Sequence, residues 1–547
     1  MLALLFYAAV TLILIAVWRR FVMPMSKAAA IVLILLPLCF TGRALLTGRV
    51  YAPIDLPFLS EPLNNYARDY GVEKPYHAGL SDLYMQMMPW QSAVRRALAQ
   101  GEWPVWNPHL LCGTILAANM QAAPYDAVQL LGLALSHPQA LTFGAAFTFF
   151  LCALFTFTFL RALGCGELAS LIAAAGYMFC ALVALFVSWP LGRIWTFLPL
   201  VLLGVRRVVR ETNVRAAVIL TLALVLVIFA GHPESILHIV FCGAIYGVYE
   251  VIVTKRPRAI GLAALCGVLA LLLTAVALLP FFSVAPHTSE YKFRRDVFAT
   301  APFDIPASQV WSRAASSLFP FMGGRPEAGG QSQIWDAYPM RVGSVILALA
   351  LTALFVARGK RDTWFWFGFF VFMACAGLNG SPVGDVLHAL PLFDIALNER
   401  LGFAAVFALC VLAGFAVDDA PRGDGLKPVL RLAPLAILLA VGAAWVRDDA
   451  IRIGTDPALV ASLTLAELLP LIVLGALLVL RADPRWILAL LLVQRVWEDG
   501  AMYPALPEKA FYPEIPVFQY LKDDHQTPFR VVGLHYALIP DTAALYG

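Results

Sequence analysis

The run SDLYMQMMPW, Ser81–Trp90, sets a carboxylate at Asp82 and an amide at Gln86 among large apolar side chains. A carboxylate there either serves in catalysis or caps a helix, because Ser81 or Asp82 stands where an N-cap belongs. Further along, AGHPES places His232 and Glu234 just past an apolar segment, where a His before Pro either caps and packs or contacts a substrate. FFSVAPHTSEYKFRRD gathers Lys292, Arg294 and Arg295, and LNGSPVGDVLHALPLFDIALNERLGF ends on Asn398, Glu399 and Arg400. Basic side chains beside an apolar segment either touch lipid headgroups or bind the phosphate of a lipid-linked substrate, for which the planar fork of Arg is well suited. Arg400, immediately before a hydrophobic run, also fits a side chain snorkelling to headgroups.

The elements that must position these groups begin with a long polar stretch, residues 51–124. A simple connection needs only a few residues, so a stretch this long and rich in hydrogen-bonding groups is a place for chemistry or recognition. Within it Leu83, Met87, Trp90, Val94 and Leu98 repeat at helical spacing, interrupted by Pro89. The pattern predicts an amphipathic helix lying along a membrane surface, closed by Gly101 and the turn at Trp106-Asn107-Pro108.

The rest of the 547-residue chain is 61% hydrophobic and only 14% charged, with mean hydropathy +0.78. Soluble domains carry about 25% charged residues. About fourteen apolar spans are expected, near 2–18, 28–46, 139–160, 168–189, 192–205, 214–231, 235–253, 259–281, 342–357, 363–378, 402–418, 429–446, 458–480 and 485–499. The span at 192–205 is short and carries Pro199, which predicts a tilt or a break. Alternate connections, RRFVMPMSK, RALGCGE, RRVVRETNVR, TKRPR, ARGKRD, RGDGLKPVLR and RADPR, hold 19 of the 39 Lys and Arg, which assigns them to the cytoplasm. The N-terminus is then outside, and its uncharged start argues against a cleaved signal peptide. Every long polar segment (51–124, 282–341, 379–401 and the tail from 500) falls on the outer face.

Most of the nine Cys lie inside apolar spans, and the sequence shows no CxxC and no zinc spacing. Walker, GxSxG, HExxH and dinucleotide motifs are missing, as is the basic aromatic surface that reads nucleic acid. A symmetric transporter tends to show internal repeats and polar groups near mid-membrane; no convincing repeat is found.

Taken in order, DLPF (Asp55–Phe58), SDLYMQMMPW, GEWPVWNP (Gly101–Pro108), CGTILAANMQAAP (Cys112–Pro124), GHPE (Gly231–Glu234) and NERL (Asn398–Leu401) resemble the YfhO family of bacterial membrane proteins. The resemblance covers most of the chain and is most specific in the first loop. That family is similar to the GT-C glycosyltransferases, multi-span enzymes using polyprenyl-phosphate sugars. The resemblance implies an all-α polytopic membrane protein of the bacterial cytoplasmic (inner) membrane with a site on its outer face. In that site Asp82 acts as the base, Lys292, Arg294, Arg295 or Arg400 meet the lipid phosphate, and Gln86, His232 and Glu234 contact substrate. His232 and Glu234 could also help hold a divalent cation. The partners it implies are a polyprenyl-phosphate sugar donor, an envelope glycan or lipid acceptor, and membrane lipids. A transporter or flippase of lipid-linked glycans, or a non-catalytic envelope assembly factor, are the competing classes.

The expected organisation is an extra N-terminal span and turn (1–27), a GT-C-like core (28–499), and from 500 to 547 the start of an outer-face domain. In that tail Pro516 suits the first turn of a short helix, and Phe529–Leu534 reads as a strand. A lone strand needs a partner, so the chain is expected to continue beyond Gly547.

Overall fold

The computed structural model describes residues 2–75, 78–299, 307–318, 340–357, 359–419, 435–437, 441–442, 457–523, 531, 533, 537–538 and 541–546. Most of the expected strand at Phe529–Leu534, most of the expected span at 429–446 and much of the 282–341 loop lie outside the described residues.

Helices dominate because apolar runs in lipid must satisfy their own backbone groups. Four of the described helices are long and apolar enough to cross a membrane: Leu2–Phe21, His137–Ala162, Pro233–Thr254 and Asn398–Asp419. Counting two bent pairs as single spans raises this to six. Glu167–Met178, Val214–Phe229, Ser344–Val356 and Thr464–Val479 are further apolar helices of shorter length among the described residues. Each bent pair has a local cause or mark. Lys27–Leu35 and Leu38–Thr47 meet at 68° around Pro37, and Ala259–Leu273 turns by 75° at the buried Thr274. The expected weak span is broken too, into Pro190–Thr196 and Leu198–Glu211, with Pro199 in the first turn of the second piece.

His137–Ala162 and Asn398–Asp419 form the centre, their apolar windows 100% and 89% buried. Leu2–Phe21 and Pro233–Thr254 are only 22% and 33% buried there. Leu271, Leu272 and Leu273 point outward, as does much of the apolar surface of the peripheral helices. A helix hydrophobic all round that is not buried in protein is suited to lipid contact.

The connections gather into two sets. At one end the basic turns bind one another: Ser26 N–H donates to Glu167 at 2.7 Å, Gly166 N–H to Asp418 at 2.7 Å, and Arg207 to Val22 O at 2.7 Å. Lys360 pairs with Asp419 at 2.6 Å. At the opposite end the first long loop meets the tail. Val50 and Tyr51 pair antiparallel with Leu506 and Ala505. Lys509 Nζ donates to Asp69 O at 2.7 Å, and Arg96 to Ala544 O at 3.1 Å.

The described residues of the tail are built onto the first loop. Residues 505–506 find their hydrogen-bonding partner in that loop, as a two-residue strand must. The helix beginning at Pro516 runs Pro516–Asp523.

Candidate functional site

Asp82 sits on a widened helical turn. The segment Leu83–Met87 is π-helical, with Met88 N–H donating to Leu83 O, and the α-helix Met88–Ala99 follows with Pro89 in its first turn. Proline has no N–H to give and its ring crowds the carbonyl four residues back, so the chain accommodates it by taking one extra residue per turn. Asp82 itself has helical backbone angles and makes no side-chain capping bond. The capping explanation for this carboxylate is thereby removed. Gln86 Nε2 approaches Asp82 Oδ1 at 3.4 Å, so the amide and the carboxylate share one face. Asp82 is half-buried. Burial holds its carboxyl above the usual range, and the positive charge of Arg400 offsets part of that effect.

The π-turn is held from behind. Tyr512, from the tail, donates its hydroxyl to Tyr84 O at 2.6 Å inside the protein. Tyr512→Phe removes that bond and leaves a buried carbonyl without it. It should cost about 1–2 kcal/mol of stability, read by thermal unfolding, with a smaller loss of any activity that depends on Asp82.

Gly231 fixes the height of the second group of residues. Its φ is +87°, and a Cβ there would meet Met120 O at 2.1 Å, so the first loop lies directly on this turn. His232 then caps the helix Pro233–Thr254, its Nδ1 accepting from Ser235 N–H at 3.2 Å. A neutral imidazole has one acceptor nitrogen, so Nε2 carries the hydrogen. Its 3.2 Å separation from Arg400 Nη1 is then a close approach of two donors. Burial first, and the adjacent Arg400 second, keep His232 neutral, its pKa lowered to about 3.

Glu234 is the anchor of the basic groups. Arg400 Nη1 lies 2.7 Å from Glu234 Oε1 and Arg294 Nη1 lies 2.9 Å from Oε2. Arg294 also donates to Ile395 O at 2.9 Å and pairs with the exposed Glu290 at 2.7 Å. One buried carboxylate thus holds two guanidiniums together at the end of the molecule away from the basic turns. Arg295 stands at the rim, half-exposed, paired with Asp394 at 2.9 Å. Lys292 is exposed, and among the described residues it makes no ion pair with this cluster. The sequence grouped it with its neighbours, and it lies on the short helix Ser289–Phe293.

The matching family model is that of bacterial membrane protein YfhO, and it spans residues 65–501. The chain belongs to the YfhO family. No curated protein matches it. Among solved structures it is similar to ArnT from Cupriavidus metallidurans in the apo state, with 16% identity, TM-score 0.40, and coverage of 76% of this chain and 71% of that one. The structure of the same ArnT bound to undecaprenyl phosphate gives 16% identity, TM-score 0.39, and coverage of 76% and 72%.

In this YfhO-family chain, Asp82, Gln86, His232, Glu234, Arg294 and Arg400 are linked by direct contact or through the charge of Arg400. Sequence reasoning missed His238, fully buried one turn below Glu234 and beside the buried Asn398. The signal for His238 was an ionisable residue inside an apolar span. Among the described residues no group of three or more His, Cys, Asp or Glu is arranged to hold a metal ion.

Proposed function

We propose that this bacterial membrane protein is a glycosyltransferase working at the face away from its basic turns, the outer face by charge pattern. The donor is a sugar on a polyprenyl phosphate, and the acceptor an envelope glycan or lipid. One observation carries the reading: an uncapped, half-buried carboxylate, Asp82, stands within the field of Arg400, which Glu234 holds beside Arg294. Base and phosphate partners are what the transfer needs in one small space.

The acceptor hydroxyl attacks the anomeric carbon, and Asp82 takes its proton as the new C–O bond forms. The bond from that carbon to the phosphate oxygen breaks, and the lipid phosphate leaves with the electron pair. Arg400 and Arg294 stabilise the charge gathering on it, with Arg295 at the rim. Gln86 and the Nε2–H of His232 orient the substrate. Attack from the face opposite the leaving group inverts the anomeric centre.

Polyprenyl phosphate lacking sugar is the test probe. It should raise the thermal stability of the wild-type protein and of Asp82→Asn, because bound ligand stabilises the folded state, and should do so far less in Arg400→Gln. Equal stabilisation of all three would remove the arginines from phosphate binding. A flippase would share the lipid binding but have no need of Asp82.

A further inference from the structure

The first loop carries an apolar hairpin that the reaction does not use. Trp106–Asn107 pairs antiparallel with Thr114–Ile115, joined by Pro108–Gly113. From Trp103 to Ile115 the sequence WPVWNPHLLCGTI contains no Asp, Glu, Lys or Arg. Its large apolar side chains face outward: Trp103 is 70% exposed, Trp106 52% and Leu111 79%, with Val105 and Ile115 also exposed. A surface like this in water is an aggregation hazard. It is also rigid. Gly113 has φ +105°, and a Cβ there would meet the Trp106 ring at 2.1 Å, so the indole lies over this glycine across the hairpin.

What covers this surface is read from its neighbours. Trp103 meets Tyr125 at 6.5 Å between ring centroids, and Tyr125 meets Phe229 at 5.4 Å. Phe229 is the last residue of the apolar helix Val214–Phe229, so the rings form a continuous row from the end of that helix to the hairpin. Leu130, Leu131 and Leu133, beside Tyr125 in sequence, are exposed as well. Tryptophan and tyrosine collect at the headgroup level of a bilayer, where an apolar ring with one polar edge is most stable.

We infer that the hairpin 103–115 is inserted into the headgroup and upper acyl region of the outer leaflet, its occupant being bilayer lipid. It belongs to the same loop as Met120, which lies on Gly231 next to His232. An anchored hairpin would therefore set the depth of the Asp82 and Glu234 groups relative to the bilayer. The insertion itself does not depend on the transferase reading.

Cys112, exposed in the hairpin loop, is a built-in reporter. The full-length protein with Cys39→Ala and Cys375→Ala, reconstituted in phosphatidylethanolamine–phosphatidylglycerol nanodiscs, is labelled at Cys112 with a nitroxide. Glu61→Cys in a Cys112→Ala background, labelled likewise, gives the aqueous reference, since Glu61 is exposed. The expected result is collisional relaxation by oxygen at least several-fold stronger, relative to a water-soluble nickel complex, at Cys112 than at position 61. Equal relaxation at both positions would show a hairpin in water and overturn the inference. Exclusion of both reagents from Cys112 would show a protein contact, such as a second copy, and would overturn it equally. A label-free check uses lipid brominated near the glycerol: the quenched part of the tryptophan emission should fall in Trp103→Phe and in Trp106→Phe. An unchanged quenched fraction in both would contradict insertion.

Discussion

Asp82→Asn is expected to lower kcat by about 10²–10⁴-fold, the usual contribution of a positioned base, with donor binding retained. The amide keeps the shape and the contact with Gln86 but cannot accept the acceptor's proton. The same change should leave stability unchanged or slightly raised at neutral pH. Burial lifts the Asp82 pKa in the folded protein, so folding disfavours the ionised form. Its stabilising contribution is present below the unfolded pKa and is lost as pH rises through the folded one. Activity runs the other way: in the wild type, kcat/KM should rise with pH through this elevated pKa, because the base must be ionised. In Asp82→Asn that rise should disappear. Turnover by the purified protein, followed across pH alongside thermal unfolding, checks both signs. Full activity in the variant would remove Asp82 from the reaction.

Glu234→Gln should be the most damaging change for the architecture of the site. It takes the shared partner from two guanidiniums that are only 22% and 13% exposed, leaving like charges adjacent. Breaking a buried pair in this way costs about 3 kcal/mol. Glu290→Gln removes a partner of the same Arg294, but Glu290 is 69% exposed, and such surface pairs contribute about 0–1 kcal/mol. Thermal unfolding of the two variants side by side separates a buried anchor from a surface contact. Glu234→Gln should also raise KM for the donor, since Arg400 and Arg294 are no longer held at a fixed spacing. Equal, small effects for both variants would show that Glu234 does not anchor the cluster.

The sequence made the helical segments legible because hydropathy reports what lipid and core both demand, and the alternation of basic turns matched the contacts those turns make with one another. It was less able to give the breaks. Pro199 announced one, whereas the bend at Thr274 has no comparable residue. The site was legible as residue types: Asp82, His232, Glu234, Arg294 and Arg400 stand out as polar groups beside apolar runs. Their partnership was not, because contacts such as Arg400 to Glu234 join residues far apart in the chain. Lys292 and Arg294 read alike in sequence, yet Arg294 pairs with Glu234 and Lys292 is exposed. Tyr512 was invisible as a support for the Asp82 turn, since its role depends on the tail lying on the first loop.

The central claim is tested most directly by deleting the gene in the bacterium that carries it and restoring either the wild type or Asp82→Asn. Envelope glycans and polyprenyl-phosphate sugars are then compared by mass spectrometry. The account predicts that the deletion strain loses one sugar from an envelope glycan or lipid and accumulates that sugar on polyprenyl phosphate. The wild-type gene should reverse both changes, and Asp82→Asn should reverse neither. Envelope glycans and lipid-linked sugars unchanged by the deletion, or fully restored by Asp82→Asn, would contradict it.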